Sequence, residues 1–350
     1  MNNNQSLSRL SNYWGNLILT RVTWVKWNGE DAYPFSCNRT DITSQKKCSG
    51  ITSQLHNSGL FEKVNDFRTH YLRVGRGAHN LLLIPGPLGS AITDYTPFLE
   101  NLNQLRFTAV AWDPPGQGSS AIPEERSWRT PGHLEQDATI GLQLMRQLNL
   151  IPFSILSWAE GVVTALLMFS SCSPDEIRKL VMWANEGAVP CPVPLSIRVT
   201  GSDALEPYRK LSKWPIAARA PLEAIYGPNQ LKSRWFDYLE AKRRGIIYKN
   251  ISAADLESKL RIQLDNQPEQ TRLLLMRAPG MENTEDWLTY ALSRLEQTRI
   301  LNWMDQKNIQ LEEYDYCWGP HRSNPQEFQT FVEAFLCFDD EHAHHIQWYA

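Results

Sequence analysis

The sequence lacks the features of a membrane-spanning or nucleic-acid-binding protein. No stretch approaches the roughly 18 consecutive apolar residues that a membrane-spanning helix needs. Neither charge is in large excess, because 35 Lys and Arg residues stand against 38 Asp and Glu residues, a formal net charge of −3. The one compact basic run, residues 242–244, is typical of a solvated helix face and is too short to neutralise many phosphates. We therefore expect a soluble protein with no membrane or nucleic-acid partner.

Cysteine is also scarce, and the cysteines present form no metal or disulfide pattern. They show no C-x-x-C spacing and no Cys/His ligand spacing, and they are too few for a disulfide scaffold. The six are Cys37, Cys48, Cys172, Cys191, Cys317 and Cys337. The loop at residues 116–118, Gly-Gln-Gly, lacks both the G-x-G-x-x-G frame and a Walker lysine. The sequence therefore predicts reduced thiols, no metal ion and no cofactor.

The first 29 residues contain no acidic side chain. They do contain Arg9, Arg21 and Lys26 together with several serines, a bias that mitochondrial presequences share. An ordinary polar tail fits the same composition, so a mitochondrial and a cytoplasmic location both stay open. Little sustained hydrophobic period is found before residue 66, and we interpret residues 1–65 as an N-terminal extension of uncertain order.

The rest of the chain contains short apolar runs that alternate with helical patterns. With 350 residues, of which 42% are hydrophobic, it is long enough to bury a sizeable core. Patterns typical of strands occupy residues 68–74, 80–84, 107–112 and 180–183, and apolar spacing predicts a helix over 134–148. This alternation predicts an α/β protein with a mostly parallel sheet covered by helices on both faces.

The pattern changes after residue 185. Residues 186–266 contain a cluster of prolines and several short amphipathic helical patterns but no strong buried strand, which predicts a helical lid inserted into the sheet domain. Strand patterns resume at residues 272–276 and 309–312, and a closing helix is predicted over 325–338. The predicted core therefore consists of residues 66–185 and 267–340, followed by a tail at 341–350.

The most informative stretch is residues 151–169, where an apolar strand, a tight turn and an apolar helix follow one another. This order is typical of the nucleophile elbow, written G-x-S-x-G, in which small residues allow a strained serine to expose its hydroxyl above a sheet. The five positions here are Ser157, Trp158, Ala159, Glu160 and Gly161. The serine position is occupied by Ala159, whose methyl group has no lone pair and no proton to give up.

These features together resemble the α/β-hydrolase family, and within it the valacyclovir hydrolase-like, or biphenyl hydrolase-like, serine hydrolases. The resemblance covers about residues 64–336. It is carried by LLLIPGPLGS at 81–90, AVAWDPPGQGSS at 109–120, SWAEGVVTAL at 157–166, LVMW at 180–183, KWPIAARAPLEAIYG at 213–227 and the histidine turn WGPHRSN. It implies an α/β-hydrolase fold with an inserted lid, and hydrolysis of carboxylic esters as the ordinary activity.

The resemblance also implies a set of catalytic positions. In such hydrolases a serine attacks the acyl carbonyl, a histidine shuttles the proton and an acid orients the histidine. The lost nucleophile then falls at Ala159 and the histidine at His321. The expected aspartate falls near Met281 by simple register, so the acid is either displaced to Glu282 or lost. Weaker candidates, each also explained as a solvated loop carboxylate, are Glu285, Asp286 and Glu186.

A binding site beside the nucleophile position is implied as well. The backbone N–H groups of Leu88 and Glu160 are expected to form the oxyanion hole. The Glu160 side chain is expected in the acyl pocket, where the resembling hydrolases carry an acidic residue that meets the substrate's α-amino group, and Trp158 is a further substrate-binding candidate. Glu160 is equally well explained as a helix-start carboxylate favoured by the helix dipole.

The main functional hypothesis is a catalytically impaired relative that keeps an acyl or amino-acid ester pocket for ligand binding or for a protein partner. Two alternatives stay open. In one, the chain is an active ester hydrolase that uses another nucleophile, such as Ser157 or water activated by His321 or Glu160. In the other, Ala159 is a variant of an active gene product, and Ala159→Ser restores hydrolysis.

Overall fold

The apolar runs form the centre of one large sheet. The computed structural model describes residues 59–120, 127–183, 210–214, 216–266, 272–276, 298–301, 321 and 325–337, all within the unit Cys48–Ala350. The strands are β1 (Leu60–Val64), β2 (Phe67–Gly75), β3 (His79–Ile84), β4 (Phe107–Asp113), β5 (Phe153–Trp158), β6 (Ile177–Trp183), β7 (Arg272–Met276) and β8 (Thr298–Leu301). Their order across the sheet is β1-β2-β4-β3-β5-β6-β7-β8.

The sheet is parallel over most of its width. Strand β2 pairs antiparallel with β1 and β4, whereas every pair from β4 through β3, β5, β6 and β7 to β8 is parallel. Parallel strands require crossover connections that cover both faces of the sheet. Strands β4 and β5 are accordingly buried at every residue. The predicted mostly parallel sheet is confirmed.

Helices lie on both faces of this sheet. Those in the described ranges are α1 (Ala91–Asn101), α2 (His133–Gln147), α3 (Glu160–Ser171), α4 (Ile216–Tyr226), α5 (Pro228–Arg243), α6 (Ala253–Asn266) and α7 (Pro325–Leu336). Helix α1 begins with a capping box, in which the side chains of Ser90 and Thr93 each accept from the other residue's backbone N–H. Helices α2 and α7 match the predicted ranges within two residues, whereas α1 and α6 were not predicted.

Alternate residues of the strands supply two apolar layers, because successive side chains point to opposite faces of a sheet. On one face, Trp112, Ile155 and Met182 pack with side chains of α2, α3 and α6. On the other face, Leu156 and Trp183 pack with side chains of α1 and α7. The elbow after β5 therefore lies at the edge of both layers.

Helices α4 and α5 form a third apolar cluster. Leu222 and Trp235 belong to it together with Leu88 and Val163, which places these two helices over the loop after β3 and the first turns of α3. Helix α6 instead contributes Leu256 and other side chains to the layer shared with α2 and α3. The range 186–266, assigned to the lid, thus contains one helix that packs on the core, and its residues 186–209 lie outside the described ranges.

Two strand assignments differ from the prediction. Strand β1 lies inside the range 1–65 that was interpreted as an extension, so the sheet begins before residue 66. Strand β8 was not predicted, and the predicted strand at 309–312 lies outside the described residues. Within the described ranges, no helix is long and apolar enough to cross a membrane, and no group of three metal-binding side chains occurs.

Candidate functional site

The turn between β5 and α3 holds Ala159 in a strained backbone conformation. Its φ is 51° and its ψ is −129°. Residues other than glycine rarely adopt this backbone conformation, which costs of order 1–3 kcal/mol. The Ala159 N–H donates to the Trp183 carbonyl at 3.1 Å, which ties the turn to the end of β6. A side chain at Gly161 would approach the Pro85 carbonyl to 2.7 Å, so glycine permits the close crossing. Ala159 therefore occupies the strained position of an elbow.

The two predicted oxyanion donors are the backbone N–H groups of Leu88 and Glu160. Leu88, in the loop after β3, has a φ of 59°, and Glu160 is the first residue of α3, where backbone N–H groups have no partner within the helix. Neither amide donates a hydrogen bond to another described residue. The Tyr226 hydroxyl, from α4, donates to the Leu88 carbonyl at 3.0 Å and so holds the loop from above. These amides are suitable donors to a carbonyl oxygen.

The loop carrying Leu88 is also fixed from below by Asp94, which the sequence analysis did not single out. The fully buried carboxylate of Asp94 accepts from the Gly86 N–H at 3.0 Å and from the Trp158 indole N–H at 2.6 Å. A side chain at Gly89 would collide with it. Asp94 is therefore a structural anchor that joins the loop after β3 to the elbow.

Trp158 was predicted to bind substrate, and the structure shows it in a structural setting. Its ring is 5% exposed, contacts Gly86 and lies 5.0 Å from the His321 ring, between centroids. Its indole N–H is engaged with Asp94. The substrate-binding role of Trp158 stays a prediction, and the contacts that the structure shows for its ring are packing contacts.

His321 is fully buried beside the elbow, among Trp158, Trp183 and Phe328. The Trp183 indole N–H donates to His321 Nδ1 at 2.9 Å. An indole nitrogen can only donate, so Nδ1 must present a lone pair and the neutral ring carries its proton on Nε2. A triad histidine has the opposite tautomer, with the proton on Nδ1 and a lone pair on Nε2. In this arrangement His321 can donate at Nε2 but cannot accept a proton there.

The predicted acids are not located by the structure. Glu282, Glu285, Asp286 and Glu186 all lie outside the described residues. The assignment of Glu282 as the acid therefore stays a prediction.

Ser157, considered above as a replacement nucleophile, is poorly placed for that role. Ser157 lies two residues after Ile155 in β5 and therefore points to the same face of the sheet, the layer of α2 and α3. Trp158 and Trp183, which lie beside His321, belong to the opposite layer. Its Oγ has no hydrogen-bond partner among the described residues. Ser154 is engaged elsewhere, because its Oγ lies 3.0 Å from His79 Nε2.

Glu160 is buried, and its carboxylate is paired with side chains of the helical insertion. Oxygen Oε1 accepts from the Tyr238 hydroxyl, from Lys242 Nζ at 2.7 Å and from the Tyr248 hydroxyl at 3.0 Å. Burial, followed by the neighbouring Glu160 charge, raises the pKa of Tyr238 well above its ordinary value, so the phenol stays a donor. The Glu160 side chain is thus more than a helix-start carboxylate.

One sequence interpretation is corrected by this cluster. Residues 242–244 were interpreted as a solvated basic face, but the Lys242 side chain is only 8% exposed and pairs with Glu160. Arg243 and Arg244 do face solvent. Besides Asp94, the sequence analysis missed Tyr226, Tyr238 and Tyr248 and the inward-facing role of Lys242, which all come from the predicted lid.

Comparison with known proteins identifies relatives of this chain. No protein-family model matches the sequence. The chain is 41% identical to the serine hydrolase BPHL of Mus musculus over 177 residues, which make up 51% of this chain and 57% of that protein. For the Homo sapiens serine hydrolase BPHL the identity is 41% over 166 residues, 47% of this chain and 53% of that protein. The chain therefore spans a little over half the length of these relatives.

Two solved structures are similar in fold. A membrane phospholipase A, described as a bacterial virulence factor, has a TM-score of 0.58 at 15% identity and covers 95% of this chain and 96% of its own. The haloalkane dehalogenase DatA from Agrobacterium tumefaciens C58 has a TM-score of 0.54 at 15% identity, with 80% and 96% covered. At such low identities these likenesses concern the fold alone.

Proposed function

This chain is a BPHL-like member of the α/β-hydrolase family, and from that premise we propose that it has lost its nucleophile and keeps its pocket to bind acyl compounds. Carboxylic esters and amino-acid esters are the ligand classes considered, and a protein partner for the same surface is the other candidate. The observation that carries the proposal is Ala159 at the strained turn between β5 and α3.

The first argument concerns bond formation. An acyl-enzyme requires an oxygen or sulfur atom at the strained position, and the Ala159 methyl group supplies neither. Removal of a triad serine lowers kcat by about 10⁶ and leaves roughly 10³ to 10⁴ over the uncatalysed rate, from binding and the oxyanion hole. A chain with this elbow is therefore expected to turn over esters far below the ordinary rate of a serine hydrolase.

The second argument concerns proton transfer. A nucleophile or a water molecule must lose a proton to an unprotonated nitrogen, and the hydrogen bond from Trp183 to His321 Nδ1 leaves the proton on Nε2. The same bond disfavours the imidazolium, because a protonated Nδ1 would face the indole N–H. Water activated by His321 is therefore a weaker hypothesis than loss of activity.

The third argument concerns the groups that could still bind a ligand. The Leu88 and Glu160 amides are the proposed oxyanion donors, and neither donates to another described residue. Helices α4 and α5 cover the loop carrying Leu88 with apolar side chains. Backbone donors under an apolar cover suit a carbonyl group on a small organic ligand. These features favour ligand binding over a purely structural role.

The proposal is tested with the purified protein and a panel of aminoacyl and plain p-nitrophenyl esters, with BPHL assayed in parallel. Turnover should lie about 10⁶-fold below that of BPHL, and an active-site-directed fluorophosphonate should not label the chain. His321→Ala should leave the remaining rate unchanged. An ordinary serine-hydrolase rate contradicts the proposal, and a measurable rate that His321→Ala abolishes supports activated water instead.

A further inference from the structure

The loop after β3 contains a tight turn of four residues, Gly86-Pro87-Leu88-Gly89. The Gly89 N–H donates to the Gly86 carbonyl at 3.1 Å and so closes the turn. The proline ring fixes φ of Pro87 at about −65°, and φ of Leu88 is 59°. A turn with a negative φ at its second residue and a positive φ at its third is a type II β-turn.

Leucine is an unfavourable third residue for this turn type. A type II turn needs a positive φ there, which glycine adopts freely. For Leu88 the Cβ atom makes that conformation cost about as much as one hydrogen bond contributes in net terms. A type I turn has a negative φ at its third residue, accepts most residues there and also favours proline at its second residue. The sequence of the turn is thus compatible with both types, and the structure shows the more strained one.

The two turn types differ only in their central peptide. Both have φ of about −60° at the second residue and ψ of about 0° at the third. They differ in ψ of the second residue, about −30° or about 120°, and in φ of the third, about −90° or about 80°. These two rotations lie on either side of the peptide bond between Pro87 and Leu88. A change of type therefore turns over this one peptide and exchanges the directions of its N–H and its carbonyl.

The described hydrogen bonds of the turn are made by atoms whose positions both types share. Asp94 accepts from the Gly86 N–H at 3.0 Å. The Gln117 amide nitrogen donates to the carbonyls at both ends of the turn, at 2.9 and 3.0 Å. The Tyr226 hydroxyl donates to the Leu88 carbonyl at 3.0 Å, and the Leu88 side chain is buried under the helical insertion. These contacts fix the ends of the turn in either type.

The central peptide lacks such contacts within the part of the chain that the structure describes. There the Leu88 N–H donates to no residue, and the Pro87 carbonyl accepts from none. The surroundings therefore hold the turn on both sides without a hydrogen bond that selects the direction of the peptide between them.

We propose that the peptide between Pro87 and Leu88 is a two-state switch. In the type II state the turn presents the Leu88 N–H, a donor, and in the type I state it presents the Pro87 carbonyl, an acceptor, in the same direction. A hydrogen-bond acceptor bound at the Leu88 N–H selects the type II state, because it interacts with that state alone. The inference rests on the proposed function only for the nature of the acceptor, an acyl carbonyl group.

The test uses nuclear magnetic resonance of the full chain, because the α-proton of Pro87 lies close to the Leu88 N–H in a type II turn and far from it in a type I turn. Cross-relaxation between these protons reports the type II fraction without any ligand. Leu88→Gly and Leu88→Ala both remove the leucine side chain, but only glycine adopts a positive φ freely. The ratio of type II to type I should be about five- to thirtyfold higher in Leu88→Gly. The wild-type chain should populate both types, as Leu88→Ala does.

Two outcomes overturn the inference. One is an equal ratio of the two turn types in Leu88→Gly and Leu88→Ala. The other is a wild-type chain that forms the type II turn alone when no acceptor is bound. If the variants fail to fold, the wild-type spectrum decides the inference by itself.

The link to the proposed function is tested separately with ethyl 3-phenylpropanoate, an ester that has a carbonyl acceptor and no donor. It should raise the type II fraction of the wild-type chain, and it should change Leu88→Gly little because that turn is already type II. A shift of the wild-type chain towards type I overturns the inference. If the ester changes none of the spectra while the difference between the glycine and alanine variants is present, the acyl-binding function is contradicted and the two-state turn stands.

Discussion

The two sides of the elbow differ in their polar contacts. On the side of Trp183 and His321, the Trp183 indole N–H donates to His321 Nδ1, and Ala159 occupies the strained turn. On the side of Glu160, a buried ion pair and two phenols form a dense polar cluster with the helical insertion. Under the proposed function, the comparison teaches that the chemical step and the ligand-binding groups of one site can diverge separately.

The largest expected effect concerns the Glu160 side of the elbow. Lys242→Met leaves the Glu160 charge buried and unpaired, so the free energy of unfolding should fall by about 3–5 kcal/mol. Urea denaturation followed by fluorescence measures it. The neighbouring Arg243→Met removes an exposed cation whose partner is Glu240 and should change stability little. Equal effects of the two substitutions would show that the Glu160 cluster is no more than a surface ion pair.

The second prediction concerns the side of Trp183 and His321. Ala159→Ser alone should stay nearly inactive, because His321 still holds its proton on Nε2. Adding Trp183→Phe removes the indole N–H and should raise ester hydrolysis over the single variant by about 10²-fold or more, a typical contribution of a general base. The comparison requires both variants to be assayed on the same esters.

A matched control separates the hydrogen bond from general loosening of the core. Trp112 is also a fully buried indole in the sheet, and Trp112→Phe in the Ala159→Ser chain should give no gain. Nitrogen NMR of the His321 ring provides a readout without activity, since Trp183→Phe should change the tautomer populations. A fully active Ala159→Ser single variant would contradict the tautomer argument.

A smaller effect is expected where the two sides meet. Gly161→Ala places a methyl group 2.7 Å from the Pro85 carbonyl oxygen, a backbone atom that cannot move aside easily, and should lower the free energy of unfolding by about 1–3 kcal/mol. Ser171→Ala, at the exposed far end of the same helix, should have little effect. If both behave alike, the close crossing of α3 over β3 is not a constraint.

The smallest effect, about 1.4 kcal/mol per pH unit, is the contribution of each buried tyrosine of the helical insertion to the alkaline response. Burial raises the pKa of Tyr226 and Tyr238 above the ordinary value of 10.0. Above about pH 10 the unfolded chain loses these protons and the folded chain keeps them, so stability should fall by about 1.4 kcal/mol per pH unit for each tyrosine. Below pH 10 this contribution is fully present. Tyr226→Phe should make the fall shallower in denaturation curves recorded across this range.

The fold was largely predictable because its signals are local. Buried parallel strands are short apolar runs, and the runs at residues 80–84 and 107–112 correspond to β3 and β4. The α/β-hydrolase fold expected from the resemblance is confirmed by the strand order and the solved structures. Strand β8, with the sequence TRIL, is short and starts with polar residues, which explains why its pattern was not recognised.

The polar contacts of the site were not predictable in the same way. Lys242 meets Glu160 across 82 positions of sequence, and Trp158 meets Asp94 across 64. No spacing rule links such pairs, because the folded sheet and the helical insertion bring them together. A lysine beside two arginines gave the sequence pattern of a solvated face, although Lys242 alone turns inward. The elbow itself was recognisable because its residues are consecutive.

The most direct measurement of the central claim is the intact mass of the protein during reaction with an excess of an aminoacyl p-nitrophenyl ester. With Ala159 at the strained position, the mass should stay unchanged and p-nitrophenol should be released without a burst. An increase by the mass of one acyl group, mapped to a side chain beside His321, would show that another atom has taken over the attack and would contradict the loss of the nucleophile.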